Sequence, residues 1–398
     1  MADTHRHFPE GFVVLTLLAG IALLHAGAAP RSRTSALAGW GSDPAPPSDQ
    51  VKALTVKEDL TIGVPEGDEN DMFGSSVLFN VDDQGHIYVT DWESKQVKKY
   101  GPDGRHILTF GRAGQGPGEF QNPGVVRFAK DGSIYISENF GNKILSFDKN
   151  GVFLGQTILP ADIFDIWMTP AGTYLGTQQV APQYVGQGPV ETFIKIFDGA
   201  FKPILELHRE SFSFPDRSLS RAQSFAKITN ESLSRPVALA VMGGDGLIYF
   251  GRSDRYVIEV LSPEGRRLRT IERTVEPLPY EKKDMDFVMK EDAENMASFL
   301  KSESLEKEYR RLIRFPKNKP LFRALVPMEE GMLAVVVDME GFAAAWLDLF
   351  DREGRFLGRV KAAVPPLNLM FKNGKAYALH KDESGFISIR RFGYEIRR

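Results

Sequence analysis

The chain has 398 residues, 42% of them hydrophobic and 25% charged, a balance that supports a globular core and excludes bulk disorder. Lys and Arg total 49 against 52 Asp and Glu, and a net charge of -3 excludes the basic excess of a nucleic-acid-binding protein. Cysteine is absent, which rules out disulfides, a cysteine nucleophile and a bacterial lipid-anchor site.

Phe12 to Ala29 is an apolar run ending in small residues, with Ala26-Gly27-Ala28 fitting a signal-peptidase site. Residues 1–29 read as a cleaved signal peptide or as an uncleaved N-terminal membrane anchor, since Asp3 and Glu10 weaken the positive end beside Arg6. A buried core helix is a third reading. The first two predict export to the periplasm or the cell exterior. Residues 30–50 are rich in Pro, Ser and Ala without an apolar period, the composition of a flexible linker. The folded domain is expected over 51–398.

Val51 to Val64 is a strand candidate without a local partner. From Asp82 a pattern then recurs: a Gly turn, an apolar strand ending in an acidic residue, a polar loop, a second strand, another Gly turn and a third strand. The turn glycines pair as Gly85 with Gly104, Gly132 with Gly151, Gly246 with Gly265 and Gly374 with Gly393, and each pair is 19 residues apart. Gly172 with Gly199 and Gly331 with Gly354 give stretched copies. One more strand precedes each first turn, as in Gly124–Lys130 and Leu367–Lys372. Six copies of four antiparallel strands predict an all-β six-bladed β-propeller. The last copy lacks an outer strand, and Val51–Val64 is expected to supply it and close the ring.

Gly132 to Gly151, "GSIYISENFGNKILSFDKNG", resembles an NHL-type repeat. "FGRAGQGPGEFQNP", from Phe110, is similar to a signature of the bacterial exported six-bladed propellers related to NHL proteins. The resemblance implies the propeller fold across residues 51–398. It implies little about activity, because most members of that group have none assigned.

With the strands of a blade named a to d from the axis outward, the d-to-a and b-to-c loops share one face and the Gly turns the other. Three long segments fall on the first face: Thr177–Thr192, Arg209–Pro236 and Pro279–Pro316. The last is expected to be a helical insertion between blades four and five, with Phe287, Met289, Met296, Phe299, Leu300, Leu305, Tyr309, Leu312 and Ile313 as its apolar stripe. It would pack on the blade tops, lie as a lid beside the channel mouth, or do both.

His86, His106, His208 and His380 stand at no ligand spacing, and no zinc, P-loop or nucleophile-elbow motif occurs. Six-bladed lactonases and related hydrolases hold Ca²⁺ where their innermost strands begin. The corresponding positions here are Ser76, Asn122, Asp162 or Asp165, Arg235, Arg323 and Asn368, and the arginines oppose a cation. The acidic ends of the b strands, Asp91, Glu138, Asp254, Asp338 and Asp382, are expected to organise the turns that follow them. In Gly111–Phe120, "GRAGQGPGEF", no helix follows the glycines, which favours a blade-to-blade connection over a phosphate loop.

The leading expectation is therefore an exported binding or scaffolding module, a monomer without a cofactor. It would contact a small molecule or a protein partner through the long-loop face, with Arg112, Gln115, Asn122, Arg235, Arg323 and Asn368 as binding candidates. The alternative is a Ca-dependent hydrolase or lyase of the lactonase-like type. A structural module in an envelope assembly is a third possibility.

Overall fold

The fold comes from a computed structural model. The structure describes residues 51–397 apart from 139–141, 161, 181–187, 214, 216–217, 301, 342 and 367, and for 293–299 it describes the backbone only. The expected signal peptide or anchor and the linker lie outside the described residues, as do the side chains of Met296 and Phe299.

The chain begins with β1 (Ala53–Ile62). Blade one follows as β2 (Val77–Val81), β3 (Ile87–Asp91), β4 (Gln96–Tyr100) and β5 (His106–Phe110). Blade two is β6 (Pro123–Phe128), β7 (Ile134–Glu138), β8 (Lys143–Phe147) and β9 (Phe153–Ile158). Blade three is β10 (Asp162–Met168), β11 (Tyr174–Val180), β12 (Val190–Phe197) and β13 (Pro203–Phe212). After helix α1 (Arg221–Ser234) comes blade four: β14 (Ala238–Met242), β15 (Ile248–Arg252), β16 (Val257–Leu261) and β17 (Arg267–Glu272). Helices α2 (Lys282–Leu300) and α3 (Glu303–Leu312) precede blade five: β18 (Ala324–Pro327), β19 (Leu333–Glu340), β20 (Ala344–Phe350) and β21 (Phe356–Ala362). Blade six contains β22 (Met370–Lys372), β23 (Lys375–Lys381) and β24 (Ile387–Arg397). Its fourth, outermost strand is β1, paired antiparallel with β24 from Ala53↔Arg397 to Ile62↔Ile389. The six sheets thus have four strands each, and the ring closes as the orphan N-terminal strand predicted.

The Gly turns have a shared chemistry. In blade one the Gly85 amide donates to the Asp82 carbonyl, while the Asp82 carboxylate accepts from the Gln84 and His86 amides. Gly85, at φ 83°, fills the left-handed position that a side chain would strain. Two expected turn glycines behave differently. In blade three Phe201, at φ 60°, takes the left-handed place instead of Gly199. Gly393 lies inside β24 opposite Lys57 and Lys375, because the outer strand of blade six comes from the other end of the chain and needs no hairpin there.

Blades bury apolar faces against one another, and between blades four and five they also bury charge. Asp348, with no exposed side-chain surface, accepts from the Tyr256 hydroxyl (2.8 Å), Arg273 Nη1 (2.6 Å), and Arg359 through Nε (2.6 Å) and Nη2 (3.0 Å). Burial, with Asp348 alongside, pushes the Tyr256 hydroxyl well above its ordinary range.

The long segment between blades three and four holds the end of β13 and then α1, a helix that the sequence analysis does not assign. Ser220 caps it reciprocally with Gln223. Its Ala222, Phe225, Ala226 and Leu233 pack against Val288, Leu305, Tyr309, Leu312 and Ile313 of the expected insertion. The insertion's apolar stripe therefore meets α1, and the three helices share a small core, while Phe287 also lies on Gly341 of blade five. Tyr309 is buried between Thr229 (2.9 Å) and Asp292 (3.0 Å).

Asp348→Ala strips a buried carboxylate from two arginines, and a loss of about 3–5 kcal/mol in urea-unfolding free energy is expected. A loss below about 1 kcal/mol, the range of an exposed pair, would show that the network is solvated.

Candidate functional site

The six a strands, β2, β6, β10, β14, β18 and β22, surround a cavity of about 1760 Å³ on the ring axis. Its lining runs from Phe164, Arg323 and Asn368 on the long-loop side to turn residues Asp83, Lys130, Gly172, Gly246, Glu330 and Asn373. The cavity therefore reaches the face of the short Gly turns. Among the described residues, none from α1, α2 or α3 lines it. Much of the wall is apolar and adaptable, with Phe128, Trp167, Leu239 and Val241 beside Met168, Met242, Met328, Met339 and Met370.

The wall's polar chemistry concentrates where blades two and three meet. Arg127 lies over the Trp167 ring, 3.5 Å from its centre, and Nη2 donates to Asp165 Oδ1 at 2.8 Å. Asp165 stands where the pairing of β10 with β11 slips between Phe164 and Trp167. It adopts a left-handed φ of 49°. Tyr135 borders the same spot, its hydroxyl accepting from the Met168 amide at 2.7 Å. Burial pushes that hydroxyl up to about 12, against the pull of the Met168 amide and Arg127.

The expected binding residues divide into two groups. Arg323, ahead of β18, and Asn368, ahead of β22, line the cavity. Arg235 instead pairs with Glu231 at 3.2 Å at the end of α1. Asn122 lies beside Glu138, which accepts its backbone amide at 3.1 Å. Arg112 and Gln115 are exposed on the Gly-rich connection between blades one and two. Arg127 and Trp167 were not anticipated; an arginine within "VVRF", on an innermost strand, was the available signal.

That connection is a closed structure in itself. Glu119 folds into it, accepting from the Gly116 amide (2.8 Å) and from Arg112 Nε (2.8 Å) and Nη2 (2.7 Å). The loop thus fills its own anion position with a carboxylate. Phe120, fully buried, joins the cores of blades one and two and sits against Gly111, where a Cβ would collide with the ring. Phe73 meets Gly63 in the same way one repeat earlier, so the corner is used twice.

The b-strand carboxylates do more than shape their own turns. Asp91 accepts from the Glu93 amide (2.8 Å) of its turn and from the Gly74 amide (3.0 Å) of the loop leading into β2. Glu138 accepts from the Gln121 and Asn122 amides ahead of β6. Burial pushes its carboxyl up, and those two amides pull it back. Asp338 contacts the buried Lys319 instead, and Asp382 stays within its turn. Asp254 pairs with Arg252 at 3.0 Å. Among the described residues no group of three or more His, Asp or Glu is arranged to hold a metal ion, and no helix is long and apolar enough to cross a membrane.

Ring, blades and axial cavity define a six-bladed β-propeller. Residues 72–181 match the sequence profile of DUF5128, a family described as 6-bladed β-propellers, which is the class that the repeat signature indicated. No curated protein matches the sequence. A Bacteroides fragilis protein described as exported is similar in structure, with a TM-score of 0.51 at 12% identity over 90% of this chain and 98% of its own. A DUF4221 member from Bacteroides vulgatus gives a TM-score of 0.51 at 8% identity over 86% and 99%. A virginiamycin B lyase from Staphylococcus aureus gives 0.41 at 11% over 85% and 99%. At these identities the likeness is one of fold alone.

The Gly116 amide, followed by Arg112, holds the Glu119 carboxyl below its usual range. A depressed value means that the loop's contacts are complete above the free-carboxyl value of about 4.3 and are lost as pH falls through the lower folded value. Hydrogen exchange should therefore show Gly116 protected at neutral pH and released in acid, and Glu119→Gln should weaken the protection at neutral pH and remove its dependence on pH. Equal protection in the variant at neutral pH would contradict this role.

Proposed function

We propose that the chain is an exported binding module that holds a small, largely apolar ligand in the axial channel. The observation that carries this reading is the cavity, about 1760 Å³, which exceeds the roughly 300–1,000 Å³ of most small-molecule sites. A methionine-rich and aromatic wall with few polar groups supports an apolar ligand body. Arg323 and Asn368, at the starts of innermost strands, belong to this site. Export is supported by the apolar, small-residue-terminated segment at the N-terminus. The long-loop face, now seen to carry the helical cap, is the surface available to a protein partner.

Calcium-dependent hydrolysis is the weaker reading for this channel. Arg127 and Arg323 are among the arginines that line it, and the Asp165 carboxylate is engaged by Arg127. Such a wall suits an anion better than a divalent cation.

The neutral fluorophore N-phenyl-1-naphthylamine tests the channel directly. It should bind the wild-type protein with enhanced emission, and Val241→Trp, which narrows the channel at β14, should weaken binding about tenfold or more. Circular dichroism and the thermal midpoint should show the variant folded. Undiminished binding to the folded variant, or no binding to the wild type, would overturn the reading.

A further inference from the structure

We propose that Arg127 is the anchor for the anionic head of an amphipathic carboxylate bound in the channel, and that Asp165 occupies that anchor while the channel is empty. The inference rests on the channel-binding reading and names the ligand class.

Arg127 is 8% exposed and is the one charged residue of β6. Stacking on Trp167 fixes the plane of its guanidinium. A guanidinium presents two parallel N–H groups along its Nε and Nη2 edge, matched to both oxygens of a carboxylate. Asp165 uses only Nη2, and the buried Nε has no hydrogen-bond partner. An unpaired buried donor is a cost that a better-placed carboxylate removes.

Asp165 is poorly placed to be that carboxylate permanently. Its side chain is 53% exposed, so water competes for it, and its backbone has a left-handed φ at a break in strand pairing. A ligand carboxylate entering along the axis would take both N–H groups of Arg127 and release Asp165 to water.

The surroundings favour an anion over a cation. Arg323, 7% exposed, lines the same channel from blade five, which is opposite blade two in the ring. The other acidic lining residues, Asp83, Asp245, Glu329, Glu330 and Glu353, belong to the turns at the rim. Between rim and anchor the wall is mainly apolar, which calls for an apolar body behind the charged head.

Displacement of N-phenyl-1-naphthylamine from the full chain by decanoate, 1-decanol and decyltrimethylammonium tests the inference. Decanoate should compete about tenfold better than decanol, with decyltrimethylammonium the weakest. Arg127→Met should abolish the advantage of decanoate and leave decanol unchanged. Arg127→Lys, which keeps the charge but loses the paired geometry, should retain part of the advantage and serves if the Met variant does not fold. Asp165→Asn should strengthen decanoate about threefold or more, because the internal competitor is weakened. Equal competition by decanoate and decanol, or an advantage untouched by the Arg127 variants, would overturn the anchor while leaving the channel as a binding site. Failure of the wild type to bind the fluorophore would remove both.

Discussion

The pairing of β1 with β24 is the constraint on which the other parts depend. Blade six has three strands from the C-terminal end of the chain and one from the N-terminal end of the domain, so the ring exists only when residues more than 300 apart in sequence come together. Side chains reinforce the seam. Asp59 on β1 accepts from Lys375 (2.5 Å) and Arg391 (2.7 Å), and Arg391 also donates to the Pro102 carbonyl of blade one. Burial pushes the Asp59 carboxyl up, and its bonds to those two cations more than reverse the effect. Closure completes blade six with its outer strand and sets the distance across the axis. Without it the six a strands would not enclose a cavity, and Arg127 and Arg323 would not line one space.

A second, smaller device recurs around the ring. A carboxylate at the end of strand b reaches the amides of the loop that enters strand a, as Asp91 does for Gly74 and Glu138 for Gln121 and Asn122. In blade four Ser253 does this with a hydroxyl, accepting from the Val237 amide at 2.9 Å. These contacts hold the first residues of each innermost strand, and therefore the upper wall of the channel. Blade five departs from the pattern. Its Asp338 turns to Lys319, and Arg323 reaches the channel from the segment that this pair secures.

Much of the fold was legible in the sequence because its signals are local. An Asp or Asn followed by a left-handed glycine closes a hairpin wherever it occurs, and the apolar strands between such turns give the blade order. Legibility failed where a neighbour from elsewhere in the chain decides the outcome. Gly393 looks like a turn glycine until β1 occupies the place of the missing strand. Phe201 takes a glycine's role because its ring stacks on Tyr174, with centres 4.3 Å apart. The helix α1 is largely polar, and its few apolar residues acquire a meaning only against α3. The channel residues follow the same rule. Arg323 and Asn368 were visible from the chain order of the a strands, whereas Arg127, Trp167 and Asp165 form a group only when blades two and three stand side by side.

The way the cap is attached bears on how a ligand would reach the channel. Lys319, buried, bridges Asp284 of α2 (2.9 Å) and Asp338 of β19 (3.0 Å), and Lys381 of β23 pairs with the buried Glu291 of α2 at 3.1 Å. Separating a buried ion pair leaves a charge uncompensated at a cost of about 3–5 kcal/mol, so these links fasten the cap to blades five and six rather than hinge it. A lid that opened at each binding event would have to break them. The opposite rim is built from short turns whose charged side chains are exposed, and the cavity reaches it without crossing a buried ion pair. Entry from the turn face therefore breaks none of these links. The fold then separates its two surfaces, a fastened helical cap on one side and an accessible channel mouth on the other.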